Sequence, residues 1–176
     1  GYCAESVHSK PKNPIILSIS VILERLTKNK HLDIPTFKSK DFPHFIDQNF
    51  FYYPKFIKMI SYYVYNYGEL DFDFLRIANY AIDDNMKPND HKYPFWTLYN
   101  MIKIDENCIF KYDSEEFNAV DQICLYVYEM MDELQYSIKR QAALLIALMY
   151  SVVPIEVIRD LDILEKTLQI LLLFCE

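Results

Sequence analysis

The chain has 176 residues with a formal net charge of -7, and 52% apolar, 16% aromatic and 24% charged residues, enough for one compact core. Glycine occurs only at Gly1 and Gly68, which excludes the glycine-rich loops that cradle nucleotide phosphates and disfavours hairpin-rich β folds, since both need residues that tolerate positive φ. Residues 1–60 carry nine Lys/Arg against five Asp/Glu and residues 61–176 carry nine against twenty, an acidic excess that repels a phosphate backbone and points to a protein partner rather than nucleic acid.

The opening GYCAESVHSKPKNP lacks the basic-then-apolar order of a signal peptide and reads as a flexible leader over 1–13. Ile15, Ile19, Ile22, Leu23 and Leu26 then recur at helical spacing, which predicts a helix over 14–30 with a basic end at Lys28 and Lys30. Residues 31–43 hold two prolines and no period, so they read as a loop ending in Asp41, an N-cap candidate before Pro43. Ten aromatics fall within 45–67, from Phe45 to Tyr67, and Pro54 divides that stretch into a short helix near 43–50 and a longer one near 54–67 closed by Gly68. These rings read as bundle core with tyrosine rims or as a protein interface.

Asp71 is a cap candidate for a helix over 72–86, and Pro94 opens another over 94–104. Ser114, followed by two glutamates, resembles a capping box for a helix running to about 134. Ser137 reads as the cap of the next helix, apolar nearly all round from Ala142 to Val153, as expected of a helix enclosed by others. Pro154 stops it and starts a final helix over 154–176. The class is all-α.

Chemistry finds little purchase in this pattern. Cys3, Cys108, Cys124 and Cys175 show no CxxC spacing and read as buried thiols, while His8, His31, His44 and His91 form no i, i+4 ligand pair. The acid pairs Asp83/Asp84, Asp105/Glu106 and Glu115/Glu116 lie at predicted helix ends, where solvated capping is their ordinary use. No run of 18 uncharged apolar residues suggests a membrane span. The expectation is a non-enzyme with no cofactor, no metal, no small-molecule substrate and no membrane or nucleic-acid partner, working inside the cell in nucleus or cytoplasm.

Taken together, the lead helix PIILSISVILERLTKNK, the TFKSKDFP joint and five following helices resemble the cyclin box, in particular the P-type cyclins related to the yeast phosphate-pathway cyclins. The resemblance covers about residues 14–150 and rests on order and spacing rather than on one motif. It matches FIKMISYYVYNYG, FDFLRIANYAIDDNM, YPFWTLYNMIKIDEN, EEFNAVDQICLYVYEMMDEL and SIKRQAALLIALMYSVV to the five box helices. It implies a single five-helix box with flanking helices over 14–153, a C-terminal helix over 154–176 packed on it, and a regulatory subunit that binds and activates a cyclin-dependent protein kinase through the kinase's C-helix. Lys103 falls where the family's third-helix lysine stands, and Asp121 where its fourth-helix glutamate stands; these two would clasp the kinase helix end. Leu98, Ile102, Ile104, Leu145 and Leu148 would supply apolar contacts. Three departures stand out: Asp121 is one methylene short, Met59 stands where the first box helix carries an arginine to pair with Asp83, and the mitotic substrate-docking run has no counterpart. The alternative is another helical interaction module, such as a viral Bcl-2-like groove protein, although no Asn-Trp-Gly-Arg-like turn surrounds Trp96.

Overall fold

The structure, a computed structural model, describes residues 12–39, 41–112, 119–154 and 161–173. Among these residues it is all-helical, with two compact units, 1–72 and 73–176. The division falls inside the 14–153 body expected from the sequence, at a short polar joint with no linker-like composition. The leader, the Ser114 box and the start of the last helix lie largely or wholly outside the described residues.

In the first unit α1 spans Pro14–Lys28. Asn13 caps it, its side chain accepting from the Ile15 N–H at 2.9 Å, and Pro14 occupies the first turn, where a missing N–H costs nothing. The expected loop over 31–43 instead contains a helix, α2 (Ile34–Ser39). Pro35 is tolerated in its first turn, the Asp33 carbonyl accepts from the Phe37 N–H at 2.9 Å, and Phe37, 2% exposed, anchors it by stacking on Phe42 and tilting against Tyr63. α3 follows (Phe42–Asn49); Asp41 stands before it in a left-handed conformation, φ 55°, and makes no side-chain capping bond, contrary to the sequence reading. α4 (Pro54–Tyr67) ends at Gly68, whose φ of 65° is the left-handed closure that glycine supplies without strain.

Hydrogen bonds pin α1 to α4 at both ends. The Asn13 N–H donates to the Tyr53 hydroxyl at 2.9 Å, and Asn66 Nδ2 donates to the Thr27 carbonyl at 2.9 Å. Start therefore meets start and end meets end: the two helices run in the same sense, with α2 and α3 carrying the chain back between them. The face that α1 buries holds Ser20, Leu23 and Thr27, with both hydroxyls turned onto α1's own carbonyls. Small polar side chains at the contact let two backbones approach closely. Of the apolar residues whose spacing predicts this helix, Leu23 lies on the buried side, whereas Ile15 is 68% and Ile22 57% exposed.

The second unit includes α5 (Phe74–Ala81), α6 (Lys92–Ile104), α7 (Ala119–Glu129), α8 (Tyr136–Val152) and α9 (Leu161–Leu172), with a short 3₁₀ turn at Pro88–His91 and a longer 3₁₀ segment at Glu106–Tyr112. α6 packs chiefly on α8 and α5, and α7 on α9 and α8. The cap of α5 is Asp73, which accepts from the Leu75 N–H at 2.8 Å, and not Asp71. Asp71 is occupied within the first unit, where the Tyr63 hydroxyl donates to it and Lys38 lies 3.5 Å away. α5 and α7 both stop short of the expected 86 and 134. Gln135, not Ser137, precedes α8, and Ser137 lies inside its first turn. α8 is not enclosed all round: Ala142, Leu145, Ile146 and Met149 are buried, whereas Leu144 is 43% exposed.

Candidate protein-docking surface

The residues singled out in the sequence separate into two groups. Leu98, Ile102 and Leu145 are all 0% exposed, on the facing sides of α6 and α8. As they stand they are core of the second unit and not contact surface, because the same 3.6-residue spacing that suggests an outward apolar face also builds the packed one. Lys103 and Ile104 close α6 and are exposed, Ile104 by 42%; Leu148 on α8 is half-buried. The Lys103 ammonium lies 6.0 Å from the Tyr99 ring centroid, and no carboxylate pairs with it among the described residues. Asp105, the next residue, turns inward on its own loop, accepting from the Asn107 N–H at 3.0 Å. The end of α6 therefore presents a cation, seated over the Tyr99 ring, beside an aliphatic side chain.

Asp121 is 7% exposed in the first turn of α7, where a carboxylate is favoured by the helix dipole. One turn on, the Cys124 thiol lies against the Tyr150 and Thr167 hydroxyls. Burial pushes that thiol up to about 11 and raises the Tyr150 hydroxyl as well. A thiol held protonated in this way is a packing group rather than a nucleophile. Cys108 is likewise a buried free thiol.

His91 is the polar residue that sequence reasoning placed least well. It stands between the Pro88–His91 turn and the start of α6, yet it is 0% exposed. Its Nδ1 lies 2.7 Å from the Ala81 carbonyl and its Nε2 2.8 Å from the Tyr126 hydroxyl. A carbonyl only accepts, so Nδ1 carries the proton; in the neutral ring Nε2 then accepts from Tyr126. Burial lowers the His91 pKa, opposed by the Ala81 bond and the Asp90, Asp83 and Asp84 charges. Tyr126 is pushed up to about 12, first by burial and then by Asp84 and Asp83. Both rings are thus held neutral, and the pair ties the end of α5 to α7. The only sequence signal for it was a histidine placed just ahead of the apolar period of α6.

Among the described residues no group of three or more His, Cys, Asp or Glu side chains is arranged to hold a metal ion, and no helix is long and apolar enough to cross a membrane. No protein-family model, curated protein or solved structure matches the chain. The two described acid pairs sit at helix ends: Asp83 accepts from the Asn85 N–H at 2.9 Å just beyond α5, and Asp105 follows α6. What the second unit presents at its surface, among the described residues, includes the exposed end of α6 with Lys103 and Ile104.

Proposed function

We propose that this chain is a regulatory docking subunit of cyclin type, without chemistry of its own, that binds and activates a cyclin-dependent protein kinase at the kinase's C-helix. The observation that carries the reading is the exposed end of α6, where Lys103 meets no carboxylate among the described residues and stands next to Ile104. An ammonium there can bond the carbonyls that a helix end leaves unsatisfied, and the isoleucine adds a small apolar contact. In this reading Lys103, Ile104 and Leu148 meet the kinase. Leu98, Ile102 and Leu145 hold α6 and α8 together beneath them, and Asp121 fixes the start of α7. The order of helices, a lead helix ahead of the matched ones and a closing helix behind them, supports the same assignment.

The test is retention of protein kinases from a native lysate on the immobilised chain, followed by reconstitution with the kinase retained. Lys103 is exposed, so Lys103→Glu leaves the fold intact. Loss of the kinase by at least about tenfold, with loss of its activation, is the expected result. A kinase retained equally by the charge-reversed chain, or no kinase retained at all, overturns the reading.

A further inference from the structure

The first unit carries a surface that the kinase-docking reading does not use. Ile15, Ile19, Ile22 and Leu26 follow one another along α1 at i, i+4, i+7 and i+11, a straight row of about three turns or 17 Å. Ile15 and Ile22 are mostly exposed and Ile19 and Leu26 half so, while α1 rests on α4 by its serine and threonine side. Beside the row lies an open groove of about 380 Å³, floored by Leu32, Phe37 and Phe42. An aliphatic row of this period beside an apolar trough is the complement of a second amphipathic helix.

Charge selects the kind of helix. Three other cations of the unit are engaged: Lys55 with Glu24 at 2.9 Å, Lys38 with Glu69 at 2.7 Å, Lys28 over the Tyr62 ring. At the C-terminal end of the row, Arg25 lines a recess with Leu26 and His31, Lys30 stands nearby, and neither cation meets a carboxylate among the described residues. The one acid lining the groove, Asp33, receives the Thr36 hydroxyl at 2.6 Å. A second copy of the chain is a poor occupant, because α1 has no acid in its first turn to meet Arg25 and Lys30. We propose that this face of α1 is a docking site for an acidic amphipathic helix of a partner protein, with aliphatic anchors along the Ile15–Leu26 row and carboxylates over Arg25 and Lys30.

The test uses the full chain and two labelled synthetic helical peptides of about sixteen residues. Both carry leucines at i, i+4, i+7 and i+11; one is flanked by glutamates and the other by lysines. Fluorescence anisotropy is expected to show the glutamate peptide binding at least about tenfold more tightly, a preference that weakens with salt. Ile22→Asp should reduce its binding by about tenfold or more, and the double change Arg25→Glu with Lys30→Glu should turn the preference toward the lysine peptide. Equal binding of the two peptides, or indifference to Ile22→Asp, overturns the proposal. So does either of two alternative outcomes that Ile22→Asp abolishes: self-association in sedimentation, which assigns the face to a second copy, or cosedimentation with phosphatidylserine vesicles, which assigns it to a membrane surface. None of these readouts involves Lys103, so the site stands or falls apart from the kinase reading.

Discussion

In the first unit α1 lies on α4 through Ser20, Leu23 and Thr27 and turns Ile15 and Ile22 to solvent, whereas in the second unit α6 and α8 close over Leu98, Ile102, Leu145 and Ile146. Both pairs are helices with apolar residues in period, yet α1 buries Leu23 and leaves Ile15, Leu17, Val21 and Ile22 outside, while α6 and α8 keep most of theirs inside. Exposed aliphatic area forgoes roughly 25 cal/mol per Å² of burial, so α1 is held in place by other means. Those means are visible: the bond from Asn13 to Tyr53, the bond from Asn66 to the Thr27 carbonyl, and the Leu32 N–H on the Tyr67 hydroxyl at 3.0 Å. A helix tied down by polar bonds at its ends is free to offer its apolar face to something else, while a helix held by its apolar face is not.

The contrast breaks most visibly at the second unit's core. Leu98→Ala removes a side chain with no solvent exposure and leaves a cavity between α6 and its neighbours. The expected loss is about 2–5 kcal/mol of folding stability, read from the urea midpoint. A Leu98→Ala chain that unfolds like the parent but no longer binds its partner would return this residue to the contact surface.

A smaller effect belongs to His91. Burial lowers its folded pKa, so the ring stays neutral in the fold, while the unfolded chain takes up a proton near the ordinary value of about 6.5. The unfolded state then binds more protons as the pH falls, and stability declines below that value. The stabilisation is fully present above it and is lost as the pH drops through it toward the lowered folded value, at up to about 1.4 kcal/mol per pH unit. Urea titrations between about pH 7.5 and pH 5 should show the parent losing its advantage over His91→Gln as the solution is acidified. Parallel curves for the two proteins would mean that the ring titrates alike in both states.

These residues also show where sequence reading stops. Period, proline and the single internal glycine are local signals, and they placed α1, α3, α4, α6 and α8 within a few residues, with Gly68 at the end of α4. Caps were read less well, because several Asp and Ser residues compete within a turn and tertiary partners choose among them: Asp71 went to Tyr63 and Lys38, leaving Asp73 to cap α5. Facing was read least well. Period gives a helix and one of its stripes, but which stripe turns inward depends on what the neighbouring helix presents. For α1 that neighbour takes the small polar side. The same ambiguity placed Leu98, Ile102 and Leu145 among contacts when they are core, and left His91 unseen as a buried link between α5 and α7.

The smallest expected effect is the one that decides the facing of α1. If the Ile15–Leu26 row were a core face, Ile22→Ser would cost as much as any large-to-small core change, about 2–4 kcal/mol. With Ile22 57% exposed and the helix seated by Ser20, Leu23 and Thr27, the same change is expected to move folding stability by no more than about 0.5 kcal/mol. Leu23, next in sequence and 6% exposed, supplies the internal control: Leu23→Ala should lower the urea midpoint clearly while Ile22→Ser does not. Two adjacent residues of like character would then differ in stability by several-fold for one reason, that a step of one residue turns a side chain about 100° around the helix, from the contact with α4 to open solvent.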